Sequence, residues 1–81
     1  MRRDCLTQPA FLADLNLLAQ FDSKNLEQGL KLHQGSDESL RAAALRLHAK
    51  GVITAPDGGY LTPFGVSLLE HLEHLVQALQ S

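Results

Sequence analysis

Residues 51–65 read GVITAPDGGYLTPFG. Val52-Ile53-Thr54 and Tyr60-Leu61-Thr62 are triplets of β-branched, aromatic and aliphatic residues, the types that suit a half-buried strand. Between them lie Ala55, Pro56, Asp57, Gly58 and Gly59. Proline presets φ for a turn, and glycine takes positive φ without a steric penalty. The stretch therefore predicts a β-hairpin that reverses across 55–59. Thr62 followed by Pro63 reads as a helix start, with threonine as the cap and proline where no N–H is needed. On the other side, Lys50 and Gly51 read as a last-turn cation and a left-handed cap that end a helix. Gly51 is expected where the hairpin folds back on that helix and a side chain would clash.

Working upstream, SDESLRAAALRLHAK at 36–50 opens with Ser36 and Asp37, either of which can cap. Acidic residues near a helix start are favourable, and Leu40, Ala43, Ala44 and Leu47 fall on one face. The spacing predicts a helix over 36–50. QPAFLADLNLLAQF at 8–21 repeats apolar residues at Phe11, Leu15 and Leu18, with Leu12 beside them. It predicts a first helix capped by Thr7, begun at Pro9 and stopped by Asp22 and Ser23. KNLEQGLKLHQG at 24–35 is ambiguous. Gly29 disfavours helix and the alternation Leu30-Lys31-Leu32 favours a strand, so a short strand at 29–33 is expected. Downstream, Leu68, Leu72, Leu75 and Leu79 form the stripe of a last helix over 63–79.

With 81 residues, 44% of them hydrophobic and 20% charged, the chain predicts one folded domain, 1–81, with 1–6 as a flexible arm. The only cysteine, Cys5, makes no internal disulfide or cysteine zinc site. Together with the interrupted apolar runs near the start, this predicts a cytoplasmic protein with no membrane span.

The order of helix, strand, helix, hairpin and helix resembles the winged helix-turn-helix class of bacterial proteins. There a helix ending Leu-x-x-x-Gly-(Leu/Val)-Ile enters a wing whose second strand runs into Leu-Thr-x-x-Gly and a closing helix. Here those positions are Leu47, Gly51, Val52, Ile53, Leu61, Thr62 and Gly65. The match is good over roughly 36–70 and loose over the first 35 residues. The chain is also similar to a group of short, poorly characterised bacterial proteins that share the run KGVIT–DGGYLT–G. The implied fold is a mainly α, winged-helix-like α+β domain with three or four helices and a two- or three-stranded wing sheet. The implied function is that of a DNA-binding, transcription-regulator-like module, because the class reads DNA with the helix before the wing. One departure stands out: if 22–35 is strand-like, the helix-turn-helix is truncated.

The residues support that function unevenly. Net charge is −2 and the pI is about 6.0, whereas domains that hold nucleic acid are usually basic. The outward face of 36–50 carries Glu38, Ala42, Leu45, Arg46 and Ala49, with Arg41 at its edge. Only the arginines are base-edge readers. Arg41, Arg46, Lys50, Lys31 and Lys24 are the candidate contacts with double-stranded DNA, helped by Arg2 and Arg3. Asp57 at the wing tip would repel phosphate. The alternative is a winged-helix module that binds protein through the Ala/Leu face of 42–49. The two differ in whether the cations gather on one face or disperse around an apolar patch.

The last helix must pack on the domain in part, and Leu68, Leu72, Leu75 and Leu79 are candidate homodimer contacts where it outruns the core. In the run EHLEH, with Glu70 and Glu73, His71 and His74 share a helix face, but two histidines do not make a zinc site. They read as a solvated surface. No triad, phosphate-cradling glycine loop or HExxH pattern is present, so the sequence predicts no enzyme, metal or cofactor.

Overall fold

The computed structural model describes residues 4–80. A 3-10 turn at Asp4–Thr7 precedes α1 (Pro9–Leu18), β1 (Leu30–Lys31), α2 (Glu38–Ala49), β2 (Ile53–Ala55), β3 (Gly58–Leu61) and α3 (Pro63–Gln80). The sheet is antiparallel in the order β1-β3-β2. This is the expected α+β, winged-helix-like arrangement, with three α-helices and three strands.

The end of α2 explains why the hairpin starts where it does. Val52 N–H donates to Leu47 O at 2.9 Å and Gly51 N–H donates to His48 O at 3.1 Å. That crossed pair is a Schellman cap, and its C′ residue must be left-handed. Gly51 has φ +76°. The expectation that a side chain would clash there is corrected, because a Cβ at Gly51 meets nothing within 4 Å. Backbone handedness, not crowding, requires the glycine.

From this cap the chain enters β2, with Val52 and Ile53 buried, and returns along β3 with Ile53 opposite Leu61. The reversal is shorter than the sequence implies. Pro56 and Asp57 make the turn, while Gly58 and Gly59 belong to β3. Between Ile53/Leu61 and Ala55/Gly58 the register shifts by one residue, a bulge on β3. Gly58 also lies against β1, where a Cβ would run into the Leu30 carbonyl.

Thr62 ties the ends together. Its N–H donates to Val52 O at 3.0 Å. Its hydroxyl accepts from Gly65 N–H at 3.0 Å, capping α3, and lies within bonding distance of the Gly51 and Val52 carbonyls. Gly65 is buried in the same corner, and a Cβ there would collide with Val52 O. The Leu-Thr-x-x-Gly run is thus a latch between the end of α2 and the start of α3.

Leu17, Ile53 and Leu69 are the largest fully buried side chains, with Ala43 and Ala44 also sealed. The two alanines let α1 and α2 approach closely. Leu40, Leu61, Leu68 and Leu72 are half-buried around this centre.

Several local expectations are corrected. Thr7 does not cap α1; its hydroxyl donates to Asp4 O at 3.0 Å inside the 3-10 turn, and Gln8 is the uncapped N-cap residue. Residues 4–7 of the expected arm region are therefore ordered as that turn, while Arg2 and Arg3 lie outside the described residues. α1 stops at Leu18, before Phe21. Gln20 and Phe21 form i→i+3 bonds to Leu17 and Leu18, tightening the chain so that Phe21 enters the core. Asp37, not Ser36, caps α2, accepting from Ser39 N–H at 2.9 Å. No helix lies between α1 and α2, so residues 22–35 supply no second helix of a helix-turn-helix.

Candidate functional site

α2 presents its outer side to an open groove of about 760 Å³. One wall is α2, with Glu38, Arg41, Ala42 and Leu45. The other runs from Lys31 through Gln34 and across to Pro56 and Asp57 at the hairpin tip. β1 holds Lys31 at this edge because its backbone pairs with Gly58, and Leu32 N–H donates to Asp57 O at 2.9 Å.

The groove gathers only two of the five candidate cations, Lys31 and Arg41. Glu38 and Asp57 share it and cancel their formal charge. Arg41 is also engaged, its Nη1 donating to Gln34 O at 2.7 Å and pinning the loop before α2. Lys24 lines a separate hollow with Ser23, Leu72 and Glu73, between the end of α1 and α3. Lys50 is exposed at the C-cap of α2.

Arg46 is turned away onto α1. Its Nε donates to Asp14 Oδ1 at 2.9 Å, its Nη2 lies 2.8 Å from the same oxygen, and Nη2 also reaches Ala10 O at 3.1 Å. Asp14 is largely buried, at 12% side-chain exposure. A guanidinium that makes three such contacts with one helix closes the α1–α2 seam. Using it on a phosphate or a guanine would leave Asp14 without its partner.

With Arg46 removed, the middle of the outward face is apolar. Leu45 is 59% exposed, Ala42 is half-buried beside it, and Ala49 continues the strip one turn on. Exposure at Leu45 is high for a leucine flanked by the sealed Ala44 and the buried Leu47. Residues 42, 45 and 49 were visible in the sequence as an Ala/Leu face; what it could not show was that a carboxylate on α1 claims Arg46.

The proposed dimer contacts divide. Leu68 and Leu72 are half-buried against the domain's own core, while Leu75 and Leu79 are exposed. Val76, which broadens the stripe, is exposed as well, and so is Phe64, which the stripe overlooked. His71 and His74 are both exposed. Among the described residues no group of three or more His, Cys, Asp or Glu could hold a metal ion. No helix among them is long and apolar enough to cross a membrane.

The chain belongs to a family described as a family of unknown function, DUF5669, whose model matches residues 6–80. No curated protein and no solved structure matches the chain significantly.

Proposed function

We propose that this protein is a winged-helix-like protein-interaction module, with the outer face of α2 and the adjoining hairpin tip as its docking surface. The observation that carries this reading is the Arg46–Asp14 pair. It withdraws the central base-reading side chain from α2 and leaves Leu45, Ala42 and Ala49 facing outward. An apolar strip bordered by cations and carboxylates together is the composition of a protein interface, with a dry centre and a polar rim. A nucleic-acid face would need a run of unopposed cations. Here Lys24, Arg46 and Lys50 are dispersed, and Asp57 stands at the hairpin tip where phosphate would approach. The action assigned is non-catalytic, and the setting assigned is the cytoplasm, in keeping with one free cysteine.

The partner fitted by this groove offers an apolar side chain to Leu45, with charges of both signs around it. A photo-crosslinking amino acid at position 42 in cells tests this. The expected product is a discrete adduct that survives nuclease, disappears with protease, and is lost when Leu45→Asp is added. An adduct that nuclease removes would overturn the reading in favour of DNA.

A further inference from the structure

A second exposed apolar surface lies on α3, apart from the groove on α2. From His74 to Gln80 every residue of α3 is exposed, so the helix outruns the core that anchors its first half. Phe64 is 54% exposed, Leu75 55% and Leu79 76%. Together with half-buried Leu68, these residues are spaced by four, seven and four positions, which places them on one side of a helix. His71 lies on the same side, between Leu68 and Leu75.

This seam is symmetric about its own middle. Phe64 and Leu79 lie equally far from the point between His71 and Leu72, and so do Leu68 and Leu75. An antiparallel copy of α3 would set Phe64 against the partner's Leu79 and Leu68 against the partner's Leu75, twice over. A patch that complements itself under a two-fold rotation is what a closed dimer requires. We propose that α3 is a homodimerisation helix that pairs antiparallel with α3 of a second copy, centred between His71 and Leu72.

The charge pattern of α3 fits a second copy, and the area limits how tightly it is held. α3 contains no Lys or Arg, and its only carboxylates are Glu70 and Glu73. Neither lies on the seam, and Glu73 accepts the Ser23 hydroxyl at 2.7 Å within its own protomer. Two identical faces therefore meet with no Lys, Arg or carboxylate on the seam, leaving His71 as the titratable group that faces its own copy near the centre, and the antiparallel arrangement opposes the helix dipoles. At 1.5 Å per residue, the 18 residues of α3 span about 27 Å. A strip that long and about 10 Å wide is roughly 270 Å² on each helix, below the ~800 Å² a side of a standard stable interface. The pairing is therefore a weak, concentration-dependent one, separate from the α2 surface and independent of the function proposed for it.

Sedimentation equilibrium on the full chain tests the pairing, over a range from about 10 µM to about 1 mM, the span in which so small an interface associates. The weight-average mass should climb toward twice the monomer, and Leu79→Glu should hold it at the monomer while the far-UV spectrum and melting temperature stay unchanged. The register is read separately, in a Cys5→Ser background. Phe64→Cys with Leu79→Cys should oxidise to a covalent dimer. Leu79→Cys alone should stay monomeric, because antiparallel pairing keeps the two copies of position 79 about 22 Å apart at 1.5 Å per residue. A monomeric mass throughout, or equal cross-linking by the single variant, overturns the proposal.

Discussion

Replacing Gly65 by alanine asks whether the corner where α2, the hairpin and α3 meet is as tight as its geometry implies. At a solvated position inside a helix, glycine to alanine gains stability, about 1 kcal/mol from helix propensity. At Gly65 the new methyl would run into Val52 O and lie 3.1 Å from Leu61 Cδ2. Backbone on one side and a packed leucine on the other leave little room to yield. Overpacking of this kind costs about 1–3 kcal/mol. Val52 O also accepts from Thr62 N–H at 3.0 Å and lies 3.1 Å from the Thr62 hydroxyl, so its displacement weakens bonds worth about 1 kcal/mol each. Setting the propensity gain against these losses leaves a net destabilisation of about 2–3 kcal/mol. For a domain of this size that lowers the melting temperature by roughly 8–24 °C, at about 4–8 °C per kcal/mol. Urea denaturation followed by circular dichroism measures the change, with Gly35→Ala as control, because a Cβ at Gly35 meets nothing within 4 Å. An unchanged m-value would show that stability has changed without a change in the compactness of either state. A Gly65→Ala protein as stable as the parent, or more so, would refute the latch.

Two further substitutions probe the same framework. Gly51→Ala should destabilise by about 1–2 kcal/mol through its left-handed backbone alone, although the site is open, and Gly51→Asn should recover part of the loss in the same urea assay. Asp14→Ala and Arg46→Ala should each cost about 1–2 kcal/mol by removing charge-assisted bonds at a partly exposed site. The double variant should lose less than the sum, with a coupling near 1 kcal/mol in a double-mutant cycle.

Much of the wing was legible because its signals are local. Gly51, Pro56-Asp57 and Thr62-Pro63 each specify backbone geometry by their own chemistry, and the hairpin, the α2 cap and the α3 start all fall at those residues. The glycines at 58 and 59 misled by one step, since their requirement comes from β1 and from the bulge and not from the turn. The end of α1 was not legible. Phe21 continues the apolar pattern of a helix, and only the pull of the core bends the chain into tighter turns there. On α3 the apolar sector was plain, but periodicity cannot say which part of a wide sector faces the domain. Leu69 took the buried place, and Phe64, Leu75 and Leu79 were left outside. Arg46 is the sharpest case. Its partner is 32 residues away, and no spacing rule within α2 could have named it.

The docking role of α2 requires that Arg46 stay on Asp14 when DNA is offered. A fluorescence-anisotropy titration of a labelled generic duplex at low salt, where phosphate attraction is strongest, measures this most directly when repeated with Arg46→Ala. Neither protein should bind saturably. Saturable binding by the parent that Arg46→Ala abolishes would contradict the docking role, and would return α2 to the role of a DNA-reading helix.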